Sequence, residues 1–493
     1  MEPAEDDAPR SRIQAIGLGA GAAAFALVLW LGPSVWPSLN VSSLRLLAVI
    51  ALMAIWWATE ALPLAATALV PAACFPLLGI APAKPTTQAY MSPIIVLLLG
   101  GFMLARAVER SGVHRRLALY VLLGVGGAPR RLVLGFALAS GLLSMWISNT
   151  ASTLIILPIA LALLERAESE SQAGVGFGQA LLLAIAYGAS VGGMSTPIGT
   201  PPNLIAMNAL EQSFPSGPTL SFLGWVSHAL PAVLLLLPLI WFILTRFAPG
   251  VPAGLQFGGT EVLRAELRAL GPWRAPERRA LSVFGFAGLL WVTRPDIRIG
   301  TGIFEGWATR LGLEGVHDGT VAMVCALLAF GLPDGTKSGQ RLLPWNTAAA
   351  LPWGLILFFG GGVALSVGFL QSGLSQALGG SLAGMAGSAW AAFIAVICFL
   401  ATFGTEVISN TALANILMPI LAATAKSAAM DPRTLLVPAA MACSCAFMMP
   451  IATGPNAIVF GSGRLRVGDM LRAGLPINLA AWACIVGLSL VLH

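Results

Sequence analysis

The chain has 493 residues, of which 57% are hydrophobic and only 10% charged, and its mean hydropathy is +0.84. A soluble domain carries about a quarter charged residues, so the composition excludes an ordinary soluble enzyme and indicates a polytopic membrane protein with room for ten or more spans of about 20 residues. The net charge of +6 then bears on membrane orientation and is no sign of a nucleic-acid partner.

The N-terminal stretch MEPAEDDAPRSR carries four acids and two arginines. It lacks the basic start and cleavage site of a signal peptide, and is expected to stay on the chain, in the cytoplasm. Apolar runs follow at about 13–33, 45–60, 63–81 and 92–109. The next, 131–165, is too long for one span and is interrupted by Ser148-Asn149-Thr150. The run 178–210 is interrupted by Ser195-Thr196-Pro197-Ile198-Gly199-Thr200-Pro201-Pro202-Asn203. Runs at 220–246, 281–293, 317–333 and 353–371 lead to a second long one, 388–425, interrupted by Ser409-Asn410-Thr411. The run 433–460 is interrupted by Met449-Pro450-Ile451-Ala452-Thr453-Gly454-Pro455-Asn456, and 472–492 closes the series. Two half-length helices around a polar tip are the pattern of a re-entrant hairpin. Prolines at such density cannot continue an α-helix, so 178–210 and 433–460 each read as a helix unwound at mid-depth.

These features come in pairs. Gly100-Gly101 and Gly361-Gly362, Ser111-Gly112 and Ser372-Gly373, the two S-N-T triplets, and Pro158 and Pro419 are all 261 residues apart. Pro197 and Pro450, and Asn203 and Asn456, are 253 apart. Several features in one register make an internal repeat. Lys and Arg favour the cytoplasmic side. The first hairpin is flanked by Arg110, Arg115, Arg116, Arg130 and Arg131, whereas Gln371 to Trp390 carries no charge. The loop from Arg246 to Arg279 holds six arginines. With the N-terminus inside, about 20 of the 27 Lys and Arg residues fall inside and the hairpins enter from opposite faces. The expected fold is an all-α polytopic membrane protein: an inverted repeat of about eleven transmembrane helices plus two re-entrant helical hairpins, with the C-terminus outside.

A hairpin tip offers two chemistries. The incoming half-helix, expected to end near Ile147, leaves carbonyls unpaired, and the outgoing one leaves N–H groups unpaired. Carbonyl and side-chain oxygens suit a small hard cation such as Na⁺, and the positive helix start suits an anion. Two tips meeting near the midplane would form one anion site flanked by two cation sites. No basic residue stands by, so bound cations would supply the positive charge and couple the two cargoes reciprocally.

Other polar residues are weaker candidates. Glu406 is an intramembrane carboxylate, but its repeat counterpart is Met145, which favours a structural hydrogen bond to the hairpin. Glu60 and Arg294 sit at span ends, and Trp56 and Trp57 read as interface anchors or packing. The Cys443 and Cys445 pair lies in an apolar run and reads as core. An intramembrane hydrolase using Ser148 or Ser409 would need a general base, and neither hairpin holds a histidine. A channel does not explain two opposed hairpins.

The paired S-N-T motifs, the two proline-containing loops and Trp56-Trp57-Ala58-Thr59-Glu60-Ala61-Leu62-Pro63 resemble the divalent anion–sodium symporter family from about residue 45 onward. The resemblance implies a homodimer in the cell's inner (plasma) membrane, with a scaffold and a moving transport domain working by an elevator motion. By position, 1–130 and 220–387 would be scaffold, and 131–219 and 388–493 the two halves of the transport domain. It implies a first sodium site of Ser144, Ser148, Asn149 and the Gly199 carbonyl, and a second of Thr405, Asn410 and the Ala452 carbonyl. The substrate would meet Ser148, Asn149, Thr150, Ser409, Asn410 and Thr411. Gly454 stands where many members have proline, and Ser152 where threonine is common. The implied function is sodium-coupled symport of dicarboxylates such as succinate, malate or fumarate. Sodium-independent exchange, and citrate or sulfate as cargo, are the alternatives.

Overall fold

The structure, a computed structural model, describes residues 11–169, 175–215, 217, 219–246, 250–251, 259–299, 302–336, 339–377, 379–380 and 389–492. The acidic segment 1–10 and the expected domain boundary at 387/388 lie outside the described residues.

Helices α1 (Arg12–Val35) and α2 (Val41–Thr59) pair as a helical hairpin. The run 63–81, expected as one element, is two short helices, α3 (Leu64–Thr67) and α4 (Val70–Leu77). Pro63 precedes the first, and Pro71 and Pro76 stand in the second, where missing N–H groups prevent one continuous ladder. Then come α5 (Ala83–Gln88), α6 (Pro93–Ser111), α7 (Val113–Val125), α8 (Pro129–Ser144), α9 (Asn149–Ser169), α10 (Val175–Gly193), α11 (Pro201–Ser213) and α12 (Phe222–Arg246). After α13 (Gly259–Ala269) and α14 (Ala275–Thr293), strands β1 (Ile297–Ile299) and β2 (Gly302–Phe304) form a small antiparallel hairpin. It is a local feature of a fold that is otherwise helical. The remainder is α15 (Trp307–Arg310), α16 (Asp318–Gly331), α17 (Trp345–Ala349), α18 (Trp353–Ser372), a turn of helix at 374–377 (α19), α20 (Trp390–Gly404), α21 (Asn410–Ser427), α22 (Arg433–Ala442), α23 (Gly454–Gly461) and α24 (Val467–Leu492).

Among the described residues, eight helices are long and apolar enough to cross a membrane in one piece. The other apolar helical stretches, at Leu64–Leu77 (α3 and α4 together), Asp318–Gly331, Trp390–Gly404 and Arg433–Ala442, are shorter.

The repeat is visible in backbone detail. Gly112 and Gly373 both take the left-handed conformation that ends a helix, with φ of 81° and 80°. Beside them the Val113 N–H donates to Ser111 Oγ at 3.2 Å, and the Leu374 N–H to Ser372 Oγ at 3.2 Å. The halves interlock: α6 packs on α16, and α18 on α2, α3 and α4. Small residues allow this approach. A Cβ on Gly100 would lie 2.6 Å from Ala322 Cβ, and one on Gly361 2.5 Å from the Ala68 carbonyl. At the centre α10 is enclosed by α8, α9, α12 and α23. Its Gly192 touches Gly141 of α8 so closely that a Cβ would meet the Gly141 oxygen at 2.2 Å. Away from this core, the buried Arg116 and Glu277 side chains pair at 3.2 Å, joining α7 to α14.

Candidate functional site

The four-residue turn 145–148 folds α9 back along α8: Ser152 Oγ donates to the Ser140 carbonyl at 2.7 Å. The incoming limb ends at Ser144, not near Ile147 as expected, and the outgoing limb starts at Asn149. The triplet is therefore the cap and first turn of α9, not an unwound gap. Ser148 Oγ accepts from the Ala151 N–H at 3.2 Å, as an N-cap serine does. In the second hairpin, α20 ends at Gly404 and α21 starts at Asn410 after Ser409.

Both broken helices are also placed more sharply than expected. The first breaks over 194–200, and Pro201 and Pro202 open α11. The second breaks over 443–453, and Gly454 and Pro455 open α23. These prolines start the new helices, where a missing N–H costs nothing. One asparagine staples each break. Asn203 Nδ2 donates to the carbonyls of Gly193, Met194 and Thr196, at 3.1, 3.3 and 2.7 Å. Asn456 Nδ2 donates to those of Ala446 and Met449, at 3.1 and 3.0 Å. The bonds to 193 and 446, and to 196 and 449, keep the 253-residue register.

Three members of the expected first cation set, Ser144, Asn149 and Gly199, come together. Ser144 Oγ donates to Asn149 Oδ1 at 2.6 Å. A Cβ on Gly193 would lie 2.4 Å from Asn149 Oδ1 and 3.1 Å from the Gly199 carbonyl. One on Gly199 would lie 2.4 Å from the Gly193 carbonyl and 2.9 Å from that of Ser144. Two glycines thus clear a cradle of neutral oxygens, a donor set that fits Na⁺. In the second half, Thr405 Oγ1 lies 2.5 Å from Asn410 Oδ1 and 2.9 Å from the Cys443 carbonyl. Ser148 lies exposed at its tip and is not drawn into the first cradle by any of these bonds, whereas Thr411 is buried on α21.

The halves meet across the repeats. A Cβ on Gly454 would lie 2.4 Å from Thr150 Oγ1, so this glycine of the second broken helix makes room for the first hairpin's threonine. In the same sense α9 packs on α23, and α21 on α11. Ser409, Ala452, Thr453 and Gly454 line a cavity of about 590 Å³ that also touches Ser11, Trp57 and Glu60. Of the tips and breaks, only those of the second half line it; Ile451 of the second break is 80% exposed, whereas its counterpart Ile198 is 7% exposed. A Cβ on Gly101 of α6 would be 3.1 Å from Ile198 Cγ2, so the first break is docked on α6.

Several residues here stand elsewhere, or bond to other partners, than the sequence suggests. Glu60, read as interfacial, stands in the cavity wall at the end of α2, with a left-handed φ of 49°. Trp57 packs edge-on against Phe358 at 5.0 Å, as packing rather than as an anchor. Glu406 bonds to the second break and not to the hairpin: Oε1 accepts from the N–H groups of Phe447 and Met448, and Oε2 from that of Met449. The staples were signalled by the register of Asn203 and Asn456, but their partners were not.

A site divided between two halves of a duplicated chain, and built from hairpin tips and broken helices, is how a secondary transporter is made. The profile of the family described as "Sodium:sulfate symporter transmembrane region" matches residues 20–492. The chain belongs to that family. It is an integral membrane transporter, not an enzyme, and sodium is the co-transported ion. It is 37% identical over 480 residues to the sodium-dependent dicarboxylate transporter SdcS of Staphylococcus saprophyticus, covering 96% of this chain and 90% of that one. It is 37% identical over 486 residues to SdcS of Staphylococcus aureus, covering 97% and 91%. In fold it is similar to the YdaH transporter of Alcanivorax borkumensis, with a TM-score of 0.56 and 17% identity over 82% of this chain and 84% of that one. It is also similar to MtrF of Neisseria gonorrhoeae, with a TM-score of 0.59 and 13% identity over 95% and 97%. At those identities the likeness concerns the fold alone.

Proposed function

We propose that the protein carries dicarboxylates such as succinate, malate or fumarate into the cell together with sodium. The observation that carries this is the oxygen cradle at Ser144, Asn149 and Gly199, mirrored at Thr405 and Asn410, with Thr150 of the first tip meeting Gly454 of the second broken helix. The two SdcS relatives, named for dicarboxylates, support the cargo. Ser144, Ser148, Asn149 and the Gly199 carbonyl hold the first sodium; Thr405, Asn410 and the Ala452 carbonyl hold the second. Bound sodium supplies the positive charge that neutral hydroxyls and amides lack. Ser148, Asn149, Thr150, Ser409, Asn410 and Thr411 then orient the carboxylates, helped by the N-termini of α9 and α21.

The N-terminus is cytoplasmic and the C-terminus outside in this reading. The cavity touches Ser11 and the end of α2 and therefore opens inward. Segments 131–219 and 388–493 move as one body against 1–130 and 220–387 in a homodimer of the plasma membrane. Helix α12, which packs on α8, α10 and α24, lies at the border of the two bodies. Radiolabelled succinate uptake into proteoliposomes tests the function. Uptake driven by an inward Na⁺ gradient and absent with K⁺ is expected. Equal uptake in both, dependent on internal dicarboxylate, would make the protein an exchanger. Uptake of sulfate or citrate but not succinate would replace the cargo.

A further inference from the structure

The two halves perform one task by different means. In the first, position 145 is methionine, and its carbonyl accepts the Thr196 hydroxyl of the facing break. In the second, position 406 is glutamate, and its carboxylate accepts three consecutive backbone N–H groups of the facing break, at 2.7, 2.8 and 2.9 Å. Asn478 Nδ2 of α24 adds a fourth bond, at 2.7 Å. Glu406 is 5% exposed. Four donors converge on its two oxygens, an arrangement that suits an ionised carboxylate. Among the described residues, no Lys, Arg or His forms an ion pair with it. Asn478 Oδ1, wholly buried beside it, has no hydrogen-bond partner.

Holding a break therefore does not require a charge, since the first half manages with neutral groups. A buried, unpaired charge is expensive and persists where something positive comes to it. Glu406 follows Thr405 directly, and its bonds fix the segment that leads to Ala452. The corresponding stretches of the first half, 144–150 and 192–203, contain no acid. We propose that Glu406 is a positioning residue of the second cation site. It holds the unwound segment in its cation-accepting form, and its charge makes this site bind Na⁺ more tightly than the first. The second site then fills first, and its cation prepares the tips for the anion. The proposal rests on the reading of the tips as cation sites.

The test is Na⁺-induced thermal stabilisation of the purified full-length protein, without substrate and with choline balancing the salt. The variants are Glu406→Gln, Glu406→Asp, Asn149→Ala and Asn410→Ala. Glu406→Gln should raise the Na⁺ concentration for half-maximal stabilisation about tenfold or more, and Glu406→Asp should recover part of that loss. Asn149→Ala, which leaves the second site, should respond at lower Na⁺ than Asn410→Ala, which leaves the first. That comparison decides the matter even if Glu406→Gln does not fold. A Glu406→Gln protein that melts lower without Na⁺ but keeps the wild-type Na⁺ midpoint would overturn the proposal, leaving Glu406 a purely structural residue. A tighter response in Asn410→Ala than in Asn149→Ala would overturn it too. If neither asparagine variant alters the response, the site reading itself fails, and the proposal with it.

Discussion

At the scale of single residues, the site depends on side chains that are absent as much as on those present. Gly193 and Gly199 leave the first cradle open, and Gly454 leaves space for Thr150 Oγ1. Gly454→Ala puts a methyl group 2.4 Å from that hydroxyl, which can turn away without moving backbone. Folded protein at the wild-type level is expected. The substrate concentration for half-maximal uptake should rise by about fivefold, the cost of one lost neutral hydrogen bond. Concentration-dependent uptake checks this. Asn203→Ala is a different kind of change. It strips the carbonyls of Gly193, Met194 and Thr196 of their shared donor in a buried segment, at a cost of about 1–3 kcal/mol. A lower melting temperature of the purified protein is the expected result.

At the scale of elements, α8 and α10 pack as closely as backbone allows, at Gly141 and Gly192. Gly192→Ala forces them apart and should cost about 1–3 kcal/mol, read as a lower melting temperature with weaker Na⁺ protection, because α8 carries Ser144. The elements also show how far the sequence could be read. The hairpins and broken helices were legible because prolines and S-N-T interrupt apolar runs that are too long, and because they recur in register. The pairing of Asn149 with Ser144, and of Asn410 with Thr405, follows the same register. The helix starts at Asn149 and Pro201 were both read too late, because serine, asparagine and proline both break helices and open them, and only geometry decides which. The partners of Glu406 lie 41 to 72 residues further along the chain, a relation that no local pattern encodes. Glu60 looked interfacial because the sequence does not say which span ends face a cavity.

At the scale of the whole molecule, the asymmetry between the halves is the main fact. One break is docked against α6, and the other borders an open cavity. Cysteine placed at Ile451 should react with a membrane-impermeant thiol reagent applied from the cytoplasmic side, and cysteine at Ile198 should not. Reaction from the outside alone would reverse the proposed orientation. Coupled transport requires that both tips serve one site. The most direct measurement is Na⁺-driven succinate uptake by Asn149→Ala and by Asn410→Ala, each reconstituted and shown to be folded in the membrane. The prediction is that each single change abolishes uptake, although the two residues are 261 positions apart. Normal uptake by both variants would contradict the claim that the duplicated tips together form the transport site.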